Sequence, residues 1–85
     1  MRTVSFHKLA FEQFTGWAAQ DRKLFERLAR LLNETARDPF VGIGKPEPLR
    51  GNLSGKWSRR INEEHRLIYS VTDTAITIYS CRDHY

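Results

Sequence analysis

The stretch HRLIYSVTDTAITIYSC, residues 65–81, decides how this chain folds. Ile, Val, Tyr and Thr crowd both of its halves, and these residue types fit a pleated, half-buried surface. Thr72-Asp73-Thr74 divides the halves with turn-forming side chains. His65 to Val71 and Ala75 to Cys81 are therefore predicted as neighbouring antiparallel strands. Just upstream, Lys56 to Ile61 has the same character. Only Asn62-Glu63-Glu64 separates it from His65, so the three runs form a meander. That short segment leaves the pairing of the first two strands open, and with it which arginine faces Arg66.

Moving outward, residues 40–55 gather Gly42, Gly44, Pro46, Pro48, Gly51 and Gly55 into a long loop. Loops of this length inside a compact domain are often functional. Before it the apolar period is helical. Leu24, Phe25, Leu28, Leu31 and Leu32 make a wide apolar face, with Arg22, Lys23, Glu26, Arg27, Arg30 and Glu34 around the rest. Asp21 is placed to cap this helix, and Pro39 disfavours helical geometry at Asp38, where the helix should stop. Glu26 and Arg30 stand four apart in the favourable order. An earlier helix begins near Leu9, its stripe read as Phe11, Phe14 and Ala18 with Ala10 and Trp17 beside it. Thr3 to His7 alternates as a short strand, which must join the sheet because a lone strand is unstable. The order β-α-α-β-β-β predicts an α+β fold: a two-helix hairpin on one face of a small, mainly antiparallel sheet. The other face is then free to carry a site.

The chain has 85 residues, enough for one domain spanning 1–85. Ten aromatics argue for a packed core rather than a disordered tail. Fourteen Lys and Arg against ten Asp and Glu leave a net charge of +4, a weak pointer to a polyanionic partner. A lone cysteine, Cys81, forbids an internal disulfide and suits a reducing compartment. No stretch approaches the ~20 apolar residues that a bilayer span requires, nor the apolar core of a signal peptide. A cytoplasmic protein with no membrane partner is the expectation.

Between Arg50 and Arg60 lie Arg50, Lys56, Arg59 and Arg60, with Trp57 among them and no acid. Such a patch suits a nucleic-acid backbone, and equally a solvated strand face. Glu47 sits between Pro46 and Pro48, which stiffen its backbone; it is either a general base or a plain loop charge. His7 reads as a surface residue and His65 as a packing or hydrogen-bonding one. His84 is penultimate, where residues are often idle. Cys81 reads as a small buried hydrophobe. The acids are scattered, so no metal site and no cofactor are expected, and no glycine pattern matches a P-loop or dinucleotide turn.

KPEPLRGNLSGKWSRRINEEHRLIYSV, residues 45–71, and the ending CRDHY, residues 81–85, closely resemble the YoeB toxins of the RelE-like superfamily. Asp38-Pro39-Phe40 and the helix pair also fit. The resemblance implies a type II toxin–antitoxin toxin: a ribosome-dependent endoribonuclease that cuts mRNA, held in check by a YefM-like antitoxin, with a homodimer suggested. By position it implies Glu47 as general base, Arg66 on the scissile phosphate, His84 as general acid, Arg60 as a second phosphate-facing arginine and Tyr85 as part of the site. Asp83 and Lys56 depart from the pattern, since relatives often carry aromatics at both positions. A carboxylate at Asp83 is expected to favour the charged form of His84. Two other readings stay open: a binding toxin that inhibits its target without cleavage, like the gyrase poisons of the superfamily, and a plain RNA-binding module.

Overall fold

The structure, a computed structural model, describes residues 1–83. Its elements are β1 (Thr3–Phe6), α1 (Lys8–Gln20), α2 (Arg22–Arg37), β2 (Glu47–Pro48), β3 (Trp57–Arg60), β4 (Arg66–Val71) and β5 (Ala75–Ser80), with a 3₁₀ turn at Gly51–Leu53. Five strands form one sheet in the order β1-β5-β4-β3-β2. β1 runs parallel to β5, and every other pair is antiparallel. The predicted α+β architecture is therefore present, with one addition. The loop after α2 contributes a two-residue edge strand, β2, with Glu47 opposite Ser58. Pro48 cannot donate to a ladder, so β2 can only be short and at an edge.

α2 forms as its pattern requires. The Asp21 carboxylate accepts a hydrogen bond from the Leu24 amide (3.1 Å), and Asp38 ends the helix before Pro39. Glu26 pairs with Arg22 at 3.5 Å, on the side away from Arg30. Leu24, Leu28, Leu31, Leu32 and Ala36 are buried against Leu67, Tyr69, Ile76 and Ile78 of the sheet.

α1 is rotated by about one residue from the stripe predicted for it. Ala18 is exposed and Phe11 is 52% exposed, while Ala10 and Trp17 are buried and Phe14 packs between Phe6 and Phe25. The indole decides the rotation. Burying Trp17 removes far more apolar area from water than burying Ala18, and its Nε1 donates to the Cys81 carbonyl at 2.9 Å. Gln13 follows it inward, its side-chain oxygen accepting from the Cys81 amide at 2.8 Å.

Between β4 and β5 the register shifts: Tyr69 opposes Ile78 but Ile68 opposes Ser80. Tyr79 is the extra residue of a bulge. It faces away from the helices, its hydroxyl 3.0 Å from that of Ser70. Among the described residues no helix is long and apolar enough to cross a membrane.

Candidate active site

Alternation along the strands sends Arg59, Leu67, Tyr69, Ile76 and Ile78 toward the helices. It sends Ser58, Arg60, Arg66 and Ile68 to the open face, with Glu47 in line with Ser58. The register across Asn62–Glu64, unreadable beforehand, pairs Arg60 directly with Arg66. Their Cβ atoms are then ~4.5–5.5 Å apart, and like charges so placed destabilise a sheet. An anion bound between them removes that repulsion.

The turn fixes one of the two arginines. Asn62 Oδ1 accepts from the amides of Glu64 and His65, closing the bend. The carbonyls it turns outward receive Arg66 Nη1, at 2.9 Å from Asn62 and 3.4 Å from Glu63. Arg60 is exposed. Both arginines, Glu47, Ser58, Gly44 and Lys45 line an open cleft of about 390 Å³, to which Glu63 also contributes. Lys45 was not singled out beforehand. Its only signal was its place two residues before Glu47.

Asp83 is anchored beside this cleft. Arg66 N donates to the Asp83 carbonyl at 2.9 Å, and Asp83 N donates to His65 Nδ1 at 2.7 Å. His65 is buried, edge-on to Trp17, so its predicted packing and hydrogen-bonding role holds. Asp83 has φ +60° and Lys45 φ +51°, left-handed conformations that L-residues adopt at a cost. Both non-glycine strained positions among the described residues thus flank the site, a distribution typical of functional sites. His84 and Tyr85 lie outside the described residues.

Two expectations change. Arg59 does not belong to the basic patch, because it is fully buried on the helix side of β3. The acids are not all scattered either: Glu64, His65 and Asp83 bring potential ligand atoms within 4.8 Å of one another. His65 Nδ1 already accepts the Asp83 amide proton, which leaves the Nε2 proton toward Glu64 at 3.7 Å. That is the arrangement of a hydrogen-bonded histidine, not of a free ligand. The Asp83 carboxylate lies 3.9 Å from the same ring. Cys81 is buried as expected, and burial pushes its thiol up to about 12. Burial also raises the Tyr69 phenol, against the opposing pull of Arg59.

In chemical terms the cleft offers three cations, Lys45, Arg60 and Arg66, and two exposed carboxylates, Glu47 and Glu63, of which Glu47 shares the open sheet face with Arg60 and Arg66. Such a set can seat a phosphate and take a proton beside it.

Comparison with known proteins shows which family the chain resembles. The family model for the YoeB-like toxin of bacterial type II toxin–antitoxin systems matches residues 6–85. The chain is 55% identical to Toxin YoeB of Mycobacterium bovis over 85 residues, the full length of both. It superimposes on the YoeB dimer from Staphylococcus aureus with a TM-score of 0.90 and 44% identity, covering 99% of this chain and 98% of that one. The YoeB–YefM complex from Staphylococcus aureus gives 0.89 and 42%, covering 100% and 99%.

Proposed function

Because this chain belongs to the YoeB-like toxins of bacterial type II toxin–antitoxin systems, we propose that it is a ribosome-dependent, cytoplasmic mRNA endoribonuclease. Residues 1–85 act as one toxin domain, neutralised by a YefM-like antitoxin and able to form a homodimer; a YoeB–YefM complex and a YoeB dimer from Staphylococcus aureus support the two partners. The observation that carries this reading is the cross-strand pair Arg60–Arg66 with Glu47 in the same cleft.

The mRNA supplies the nucleophile, its ribose 2′-OH. Glu47 takes the proton as that oxygen attacks the neighbouring phosphorus. The five-coordinate phosphorus that follows gathers negative charge. Arg60 and Arg66 meet it with permanent charge and planar donors. His84, one residue beyond the anchored Asp83, gives a proton to the departing 5′-oxygen, and Tyr85 completes the substrate contacts. Each proton transfer is typically worth ~10²–10⁴-fold. Nothing in the scheme calls for a reactive Ser or Cys, in keeping with the inert Cys81.

A cleft this open holds only a short piece of RNA, so the ribosome supplies most of the alignment. Alignment accounts for up to ~7–11 kcal/mol of a barrier in favourable cases. The test is end-group analysis of mRNA cut on purified translating ribosomes. The reading expects a 2′,3′-cyclic phosphate, or the 3′-phosphate it opens to, and a free 5′-OH. Products ending in 3′-OH and 5′-phosphate would overturn the assigned roles. Translation arrest with intact mRNA would favour a binding toxin.

A further inference from the structure

Arg59 carries a charge into the helix side of the sheet, where its side chain is wholly buried. A buried guanidinium is costly unless its N–H groups all find acceptors. Among the described residues no carboxylate pairs with it. Nε donates to the Tyr69 hydroxyl at 3.2 Å, Nη1 to the Ile43 carbonyl at 3.1 Å, and Nη2 to the Val41 carbonyl at 3.1 Å and to the Asp38 carbonyl. The Tyr69 hydroxyl then donates to the Pro39 carbonyl at 2.6 Å. Four carbonyls of one loop thus converge on a single guanidinium–phenol pair.

The loop is inside out as a result. With these carbonyls turned in, Pro39 stays buried but the other apolar side chains turn to solvent: Phe40, Val41 and Ile43 are 44%, 68% and 40% exposed. A segment selected for stability alone would bury those side chains and dispense with the charge. A buried charge is weak evidence for stability, yet here it dictates a path. The path ends at the cleft. Gly44 accepts a hydrogen bond from Arg60 N through its carbonyl, and Lys45 and Glu47 follow directly.

We propose that Arg59 is a positioning residue, holding residues 38–43 so that Gly44, Lys45 and Glu47 stand against Arg60 and Arg66 in the geometry that RNA cleavage requires. It acts through these groups and does not touch the substrate. The proposal rests on the nuclease reading above. Lysine cannot replace it, because one ammonium cannot reach acceptors spread around a planar fork.

Two variants test this. Arg59→Lys keeps the charge and loses the fork. Tyr69→Phe keeps the ring and removes both the bond to Pro39 and the acceptor for Arg59 Nε. Each is measured for single-turnover cleavage on ribosomes at saturating toxin, for affinity toward programmed ribosomes whose mRNA carries a 2′-deoxy scissile nucleotide, and for hydrogen exchange of the Arg60 amide. The expected result is a rate constant at least tenfold lower, affinity within about threefold of wild type, and faster exchange at Arg60. If Arg59→Lys fails to fold, Tyr69→Phe decides alone. A variant that lowers only the amount of active protein, with the rate constant unchanged, shows a merely structural role and overturns the proposal. A wild-type chain that leaves ribosome-bound mRNA intact refutes the nuclease reading, and this proposal falls with it.

Discussion

Replacing Gly44 by Ala should damage stability and site together, for reasons that can be separated. Gly44 has φ +82°, and a Cβ there would stand 2.9 Å from the Arg60 carbonyl oxygen, 3.1 Å from Leu31 Cδ1 and 3.2 Å from Arg59 Cβ. The left-handed backbone costs an L-residue roughly 1–2 kcal/mol. Forcing a methyl against backbone in a packed setting typically costs about 1–3 kcal/mol more. The sum, ~2–5 kcal/mol, is a large share of the ~5–15 kcal/mol that holds an ordinary domain together. Gly55 provides the control: φ is +93°, but a Cβ meets nothing within 4 Å, so Gly55→Ala should lose only the backbone part. Gly16 gives the opposite sign. It lies within α1 with open space around it, and Gly16→Ala should gain about 0.5–1 kcal/mol. Urea unfolding of the three variants measures the series. The packing contribution is the difference between Gly44→Ala and Gly55→Ala, and equal losses would refute it. Gly44→Ala should also slow cleavage, because the Arg60 amide bonds to the carbonyl of Gly44.

Other outcomes follow from the same geometry. Arg60→Gln removes one of two like charges facing each other across strands, so it should raise stability by ~0.2–1 kcal/mol in low-salt unfolding while lowering the cleavage rate; a loss of stability would contradict the pairing argument. Glu47→Gln changes an exposed side chain and should shift stability by no more than about 0.5 kcal/mol. Its single-turnover rate, and that of His84→Gln, should fall ~10²–10⁴-fold, and full activity in either variant would remove that residue from the mechanism. Folded, Cys81 keeps its proton up to about 12, whereas an unperturbed thiol loses it near 9.0. The unfolded chain therefore gains from ionisation first, and stability should fall by up to ~1.4 kcal/mol per pH unit across that window. Unfolding midpoints against pH should be flatter for Cys81→Ala there, and identical slopes would disprove the burial argument.

How far the sequence could be read depended on which physical signal each feature left in it. α2 was legible throughout, because its leucines repeat at helical spacing and both ends carry capping chemistry. α1 was legible as a helix but not in rotation: two stripes one residue apart both contain Phe14, and only the sheet beneath shows where an indole fits. β2 left almost no signal, since two residues, one of them a proline, have no period. For the site, the residue types and the family resemblance pointed to Glu47, Arg60 and Arg66, which the fold gathers into one cleft. Arg59 was misplaced because adjacent residues of a strand point to opposite faces. Which of two neighbouring arginines is buried depends on a register that the Asn62–Glu64 turn conceals. Residue type alone also argues for water, as arginine is seldom buried without a partner. That its partners are loop carbonyls is a property of the folded chain only.

The first strand pairs, in parallel, with the fifth: Thr3 with Ala75 and Phe6 with Ile78. Asp83, later still, anchors beside Arg66. A nascent chain therefore lacks the partner of its first strand until β5 has been made. At ~5–20 residues per second, several seconds separate the two halves of this pairing. During that interval the emerging N-terminal strand and helix pair have no sheet to pack on. This order of assembly ties the closure of the sheet to the emergence of β5, whereas the β3–β4 pair that carries Arg60 and Arg66 needs only its own hairpin.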